Sequence, residues 1–128
     1  MPEPRTAERE IKQAPFGAPH VYVLAVVEGR NPSGVHRIDA GETVIGRGDE
    51  ARLRLDHDDE VSKRHCVIRV DGPVCTLVDL GSLNGTRLNC RPLRPAVAHR
   101  LRHLDEVEIG ETRLLFLSGR FKLARSGD

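Results

Sequence analysis

The chain has 128 residues, with 20 lysines and arginines against 19 aspartates and glutamates. This length is typical of one domain with a single hydrophobic core, and the near-zero net charge provides no overall field to attract nucleic acid. No apolar run approaches the roughly 18 residues of a membrane span, and the start, MPEPRTAERE, lacks the apolar core of a secretory signal.

The three cysteines, Cys66, Cys75 and Cys90, are an odd number without a CxxC spacing. This pattern argues against a disulfide framework and against a structural zinc site. We therefore expect no cofactor and no metal, and we expect free thiols in a reducing, cytoplasmic compartment.

Both ends of the chain predict flexible tails. Residues 1–19 contain four prolines, alternating charges and little apolar content, a composition typical of unstructured segments. Residues 119–128, GRFKLARSGD, end in small and polar residues. The predicted organisation is a tail over 1–19, one domain over 20–118 and a second tail over 119–128.

Short apolar segments separated by turn residues fill the region between the tails. They are, in chain order, VYVLAVVE, VHRI, ETVIG, RLRL, RHCVIRV, VCTLVDL, TRLN, RPLRP, LDEVEIG and ETRLLFL. Turn signals recur every 8 to 12 residues or so, and no segment keeps a helical period, which is typical of an all-β fold. The sequence predicts a β-sandwich of about ten or eleven short strands, mostly antiparallel, with a hairpin at Gly110 and Glu111.

Three predicted loops carry groups suited to an anion or a peptide backbone. They are IGRGDE (45–50), VSKRH (61–65) and GSLNGT (81–86). Arg47 brings a five-donor cation, Ser62 a hydroxyl, Lys63 an ammonium and Asn84 an amide. Because the loops at one end of a sandwich cluster on rigid sheets, we expect these groups to converge on a phosphate.

The order and spacing of these residues resemble those of the forkhead-associated (FHA) domain. The matching elements are GR (Gly46, Arg47), SxxH (Ser62, His65), DLGS (79–82), NG (Asn84, Gly85) and the closing LDEVEIGETRLLF. The resemblance extends from about Val21 to Leu117. It implies an FHA-like sandwich with binding loops at one end, and a module that binds phosphothreonine and is not an enzyme.

The resemblance also implies a role for each matching residue. Arg47, Ser62 and Lys63 would bind the phosphate, Asn84 and the backbone at Leu83 would bind the peptide backbone, and Gly46, His65 and Gly85 would be architectural. The implied partners are a threonine-phosphorylated protein or peptide and the Ser/Thr kinase that modifies it. We expect a monomer that binds neither nucleic acid nor membrane.

Two features bear on the ligand's sequence. Leu83 stands where many FHA domains have Ser or Thr, so a hydroxyl contact to the ligand is missing. The acidic run 56–60 leads into Ser62, and in the family this loop contacts residues after the phosphothreonine. Asp59 and Glu60 would then favour basic or neutral ligand residues over acidic ones. The alternative is a solvated loop that balances Arg52 and Arg54.

Several other functions remain open from sequence alone. One alternative is a scaffold or protein-interaction domain on the same fold that docks partners without phosphate. Ser62, His65 and Asp79 suggest a hydrolase, although no GxSxG motif is present. His57 among carboxylates suggests a metal site. Arg91, Arg94, Arg100 and Arg102 suggest nucleic acid, although stacking aromatics are absent. Thr6 in the N-terminal tail, once phosphorylated, would be a ligand for the chain's own pocket.

Overall fold

The computed structural model describes residues 11–13, 20–29 and 34–123, and these residues form strands and turns without any helix. The strands are β1 (Ile11–Gln13), β2 (Val21–Glu28), β3 (Val35–Ile38), β4 (Gly41–Gly46), β5 (Leu53–Arg54), β6 (Cys66–Asp71), β7 (Val74–Asp79), β8 (Thr86–Leu88), β9 (Arg91–Pro92), β10 (His99–Arg100), β11 (Glu106–Ile109), β12 (Thr112–Gly119) and β13 (Phe121–Leu123). The described part of the chain accordingly offers no helix of the length and hydropathy that a membrane span needs.

Eleven of the strands form two sheets. One sheet has the order β10-β7-β6-β4-β5 and the other the order β3-β2-β12-β11-β8-β9. The strand pairs in both sheets are antiparallel, except that β4 and β5 are parallel. The predicted all-β sandwich of about ten or eleven mostly antiparallel strands is thus confirmed, including the hairpin between β11 and β12.

The core lies between the two sheets and consists mainly of aliphatic side chains. In β6, Cys66, Ile68 and Val70 are buried whereas Arg69 and Asp71 are exposed, as the alternation of that segment predicts. Val67 departs from it, since it is buried on the opposite face. Each fully buried aliphatic or Phe side chain contributes roughly 1.5–3 kcal/mol to folding. The packed sheets are therefore rigid supports for the loops at their ends.

The cysteines are free thiols, with Cys66 and Cys75 buried and Cys90 exposed. Burial raises the pKa of the Cys66 thiol, and the nearby Asp79 carboxylate raises it further. Burial also raises the pKa of Cys75. Both buried thiols therefore stay protonated at neutral pH and serve as small apolar side chains.

Part of each predicted tail is paired. β1 runs antiparallel to β13, with Ile11 opposite Leu123 and Gln13 opposite Phe121, and β12 extends to Gly119, one residue past the predicted domain boundary. The two paired segments are about 110 residues apart in sequence, so no local pattern reveals their pairing. Of the predicted tails, residues 1–10, 14–19 and 124–128, Thr6 included, lie outside the described part of the chain.

Candidate functional site

The loop after β4 and the loop before β6 lie side by side. The backbone N–H of Arg47 donates to the carbonyl of Ser62 at 3.0 Å, and that of Gly48 donates to the carbonyl of Lys63 at 3.1 Å. These bonds continue the antiparallel ladder between β4 and β6 beyond the ends of the strands. Arg47 and Ser62, 15 residues apart in sequence, are thereby held next to each other.

Gly46 is required by this close approach. A Cβ atom at position 46 would overlap the carbonyl oxygen of Lys63, lie 2.7 Å from its carbonyl carbon and lie 3.0 Å from the carbonyl oxygen of Ser62. All of these are backbone atoms, which cannot rotate away as a side chain can. Gly46 is therefore the residue that lets the two loops touch.

The guanidinium of Arg47 is oriented by the neighbouring loop. Its Nε–H donates to the carbonyl of Val61 at 2.9 Å, and the side chain is half-buried. This bond leaves Nη1 and Nη2 as the donors available to an anion. An arginine held in this way presents a fork whose geometry matches two oxygens of a phosphate or carboxylate.

Ser62 connects this pair of loops to the third. Its Oγ accepts a hydrogen bond from the backbone N–H of Leu83 at 3.0 Å. Because a hydroxyl both donates and accepts, the O–H of Ser62 remains able to donate to a ligand. The Ser62 side chain therefore lies between the Arg47 loop and the 81–86 loop, and its O–H group is available to a ligand.

His65 lies at the centre of the three loops and is fully buried. Its Nδ1 accepts from the backbone N–H of Ser62 at 3.0 Å, so Nε2 carries the proton and donates to the carbonyl of Gly85 at 2.8 Å. The backbone N–H of His65 also donates to the carbonyl of Ile45. The imidazole thus joins the 61–65 loop to the 81–86 loop, and the backbone N–H of the same residue bonds the end of β4, which leads into the Arg47 loop.

Asn84 is held by the acidic loop. Its Nδ2 donates to the backbone carbonyl of Glu60 at 2.9 Å and to the Glu60 carboxylate at 3.0 Å. Both N–H groups of the amide are therefore used, and its carbonyl oxygen remains to accept from the backbone N–H of a peptide. This contact also fixes Glu60 beside the loop that carries Asn84.

The other predicted ligand contacts lie at the surface. Lys63, Asp59 and Glu60 are exposed, and the side chain of Leu83 is 88% exposed even though its backbone N–H is bonded to Ser62. The structure therefore brings the backbone of Leu83, and the side chains of Arg47, Ser62 and Asn84, into one rim. Lys63 follows Ser62 on that rim.

Asp79 supports the third loop, a role that sequence reasoning missed. It is buried, and its carboxylate accepts from the Ser82 hydroxyl (2.6 Å), the Thr86 hydroxyl (2.7 Å) and the backbone N–H groups of Gly81 (3.0 Å) and Ser82 (3.1 Å). Burial alone would raise the pKa of Asp79, but these hydrogen bonds outweigh it and hold the pKa below its ordinary value. The spacing DxGS, with Thr seven residues after the Asp, was the available signal.

This carboxylate makes folding sensitive to acid. Because the folded pKa is lowered, the stability that Asp79 contributes is complete above the unfolded pKa of 3.8 and is lost as pH falls through the folded value. We expect Asp79→Asn to lower the free energy of unfolding by about 1–3 kcal/mol at pH 7. We also expect it to flatten the acid dependence of stability below about pH 4.

Urea unfolding between pH 7 and pH 2 measures both effects on the free energy of unfolding. Asp71→Asn is the control, because Asp71 is exposed and an exposed carboxylate contributes little. An Asp79→Asn protein with the acid dependence of the unmodified chain would contradict the assignment.

Asp58 is a second buried carboxylate that the sequence did not reveal. It accepts from the backbone N–H of Glu60 (3.1 Å), the backbone N–H of Glu111 (2.8 Å) and the hydroxyl of Thr112 (2.7 Å). The acidic run 56–60 is consequently held against the turn between β11 and β12. Glu60 therefore reaches Asn84 from a fixed position.

The geometry does not support a hydrolase at Ser62. Nδ1 of His65 accepts from the backbone N–H of Ser62, and Oγ of Ser62 accepts from Leu83, so no hydrogen bond joins the imidazole to the hydroxyl. A nucleophile needs its base within hydrogen-bond reach. The Asp79 carboxylate bonds Ser82 and Thr86 rather than the imidazole.

The metal alternative finds no support in the described ranges. Among these residues, no three His, Cys, Asp or Glu side chains are grouped to hold a metal ion. His57 lies 3.5 Å from the Asp56 carboxylate, and both side chains are well exposed. The acidic loop therefore acts through its contacts with Asn84 and with the β11–β12 turn.

Comparison with known sequences finds one matching family model, described as FHA domain, over residues 43–110. A similar protein is the glycogen accumulation regulator GarA of Mycolicibacterium smegmatis, 41% identical over 97 residues that cover 76% of this chain and 59% of GarA. Another is the oxoglutarate dehydrogenase inhibitor of Corynebacterium jeikeium, 39% identical over 80% of this chain and 69% of the relative. The chain therefore spans only about three-fifths of the length of the GarA relative.

Comparison with solved structures gives the same result. A domain solved in a study of phosphothreonine-dependent FHA domain interactions has a TM-score of 0.68 and 33% identity, covering 76% of this chain and 95% of that one. The FHA domain of MEK1, in complex with a phosphothreonine peptide of HOP1, has a TM-score of 0.63 and 31% identity, covering 75% of this chain and 94% of that one. The family model, the sequence relatives and the solved structures thus point to the same family.

Proposed function

Because the chain belongs to the forkhead-associated domain family, we propose that it binds partner proteins through a phosphorylated threonine held at the rim of its three loops. The observation that carries this proposal is the hydrogen-bonded contact between the Arg47 loop and the Ser62 loop. It places a guanidinium fork and a free hydroxyl donor side by side. The geometry of the rim thus suits an oxyanion rather than a neutral group.

We propose that two cations neutralise the charge of the phosphate and that three donor groups form hydrogen bonds to its oxygens. Nη1 and Nη2 of Arg47 bind two oxygens, the Ser62 hydroxyl binds one, and Lys63 adds a second positive charge opposite the nearly doubly charged phosphate. Charge-assisted hydrogen bonds contribute about 1.5–3 kcal/mol each. Three of them together contribute about 4.5–9 kcal/mol, and the upper part of that range gives a short phosphopeptide an affinity in the micromolar range, about −8 kcal/mol.

The peptide backbone is the second element of recognition. The carbonyl oxygen of Asn84 accepts from a backbone N–H of the peptide, since the amide N–H groups are used by Glu60. The backbone N–H of Leu83 supports the site by its hydrogen bond to the Ser62 hydroxyl. The Leu83 side chain has no hydroxyl that could bond the peptide. We therefore expect weaker binding than a Ser or Thr at position 83 would give.

The acidic loop is proposed to select the flanking residues of the ligand. Glu60 is fixed beside Asn84, and Asp59 precedes it on the surface. Carboxylates in that position repel acidic side chains and attract basic ones. The preferred ligand is therefore a phosphothreonine peptide with basic or neutral residues after the phosphothreonine.

In the cell, we propose that the chain is a regulatory adaptor rather than an enzyme, acting as a cytoplasmic monomer downstream of a Ser/Thr kinase. The proposal is supported by the relatives' names, which describe a regulator of glycogen accumulation and an inhibitor of oxoglutarate dehydrogenase. A binding module regulates by occupying a partner, which needs no chemistry of its own.

Titration with an oriented phosphothreonine peptide library tests the proposal. We expect micromolar binding of phosphothreonine peptides, no measurable binding of the unphosphorylated library, and selection against Asp and Glu after the phosphothreonine. Affinity should fall with added salt and below about pH 6, where the phosphate loses its second charge. Equal binding of phosphorylated and unphosphorylated peptides would instead support a phosphate-independent scaffold on the same fold.

A further inference from the structure

The segment from Arg91 to Arg102 closes one side of the sandwich. It contains β9 and β10, which are the edge strands of the six-stranded and the five-stranded sheet. The backbone N–H of Ala96 donates to the carbonyl of Asp79, and that of Leu101 donates to the carbonyl of Cys75, both at 2.9 Å. From Ala96 to Leu101 the segment therefore runs along β7 for about 13 Å, from the loop end of the sandwich toward the other end, whereas Arg91 lies opposite Leu88 of β8.

Positive charge is concentrated on this segment. Arg91, Arg94, Arg100 and Arg102 are exposed, and the sequence has no Asp or Glu between residues 80 and 104. Within residues 34–123, none of these four guanidinium groups makes an ion pair. Five other arginines are paired with carboxylates: Arg37, Arg52, Arg54, Arg69 and Arg113. Arg64 and Arg87 are likewise exposed and without an ion pair among the described residues, but they do not lie on this segment. We call Arg91, Arg94, Arg100 and Arg102 the arginine edge.

An apolar side chain projects from the middle of the arginine edge. Val97 is 44% exposed, and it follows Ala96, whose φ of 66° is a conformation that residues with a side chain seldom adopt. Leu101 is buried in the core, and Leu93 packs against it from a partly buried position. The inward leucines and the bond from Ala96 to Asp79 hold this turn so that Val97 faces outward.

We propose that the arginine edge is a docking surface for an acidic, unphosphorylated segment of a partner protein. Guanidinium forks match carboxylates in geometry and charge. An apolar centre surrounded by polar groups is the usual anatomy of a protein interface, in which arginine is enriched. The surface begins beside Asp79, whose side chain supports the 81–86 loop, so one partner reaches both this surface and the phosphate rim.

An acidic protein segment fits this surface better than nucleic acid does. The sequence has no Phe, Tyr or Trp between residues 86 and 104, whereas single-stranded nucleic acids are bound by stacking on aromatic side chains together with positive charge. The part of the segment that lies along β7, from Ala96 to Leu101, is also short, at about 13 Å. A segment of a few extended residues matches that length.

The test uses the full chain and a fluorescein-labelled peptide of twelve residues, ten Glu and two Leu, in fluorescence anisotropy at low salt. The variant Arg91→Gln/Arg94→Gln/Arg100→Gln should bind this peptide at least about tenfold more weakly. The matched control Arg37→Gln/Arg52→Gln/Arg69→Gln removes the same net charge from paired arginines and should change binding by less than about twofold. Val97→Ser should weaken binding by about threefold.

Binding of a phosphothreonine peptide should survive in all these variants, which separates this surface from the phosphate rim and shows that the proteins are folded. The proposal is overturned if the unmodified chain does not bind the acidic peptide, or if both triple variants lose binding equally. It is also overturned if single-stranded DNA, or vesicles containing phosphatidylserine, bind through the same arginines more tightly than the peptide does.

Discussion

Arg47→Ala is expected to weaken binding of a phosphothreonine peptide by at least about 100-fold. The variant removes both terminal nitrogens of the fork, and two charge-assisted hydrogen bonds contribute together about 3 kcal/mol or more. Arg47→Lys keeps the charge but loses the fork and the bond to Val61, so its affinity should fall between the two. Isothermal titration with one phosphopeptide measures all three proteins.

Arg64→Ala is the control for this experiment, because Arg64 is an exposed arginine of the neighbouring loop. It lowers the net charge equally and should change the affinity by less than about twofold. Arg47→Ala also loses the hydrogen bond to Val61, which lowers the free energy of unfolding by about 1 kcal/mol and leaves the protein folded. Retained phosphopeptide binding in a folded Arg47→Ala protein would contradict the proposed phosphate site.

Gly46→Ala is expected to lower the free energy of unfolding by about 3 kcal/mol or more. The new methyl group would overlap the backbone of Lys63, so the two loops must separate. Separation breaks the bonds from Arg47 to Ser62 and from Gly48 to Lys63. Phosphopeptide binding should therefore be lost even at temperatures where the protein is still folded.

Gly48→Ala provides a graded comparison on the same loop. A Cβ there would lie 3.0 Å from the Cβ of Lys63 and 3.2 Å from its carbonyl oxygen, a crowding that small shifts relieve. We expect a loss of about 1 kcal/mol. Urea unfolding measures the free energy of unfolding of both variants, and peptide titration measures their affinity. Equal effects in the two variants would contradict the requirement for glycine at position 46.

Local chemistry explains what could be predicted from sequence. The alternation of Cys66, Ile68 and Val70 predicted a strand with one buried face, and the structure buries all three. Val67, on the opposite face, is buried as well, which the alternation did not predict. Gly46 before Arg47, and Asn84 before Gly85, predicted loops with polar groups. Each of these inferences depends on neighbours a few residues away, and sequence patterns report such relations directly.

What could not be predicted depends on partners far along the chain. Asp58 looks like one of several loop carboxylates, yet it bonds Thr112, 54 residues away. For Asp79, by contrast, the partners Ser82 and Thr86 are near in sequence, and it is the burial of its carboxylate that could not be predicted. Residue type alone does not distinguish a buried, fully hydrogen-bonded carboxylate from a solvated one, since burial is a property of the packed fold.

The buried imidazole of His65 has a consequence for the kinetics of recognition. Because the imidazole joins two of the loops and the backbone N–H of His65 bonds the strand leading into the third before any peptide arrives, binding costs little free energy for ordering the protein. Suitable and unsuitable peptides should then associate with the preformed site at similar rates. Discrimination would be expressed in residence time, with the wrong peptide leaving sooner rather than arriving later.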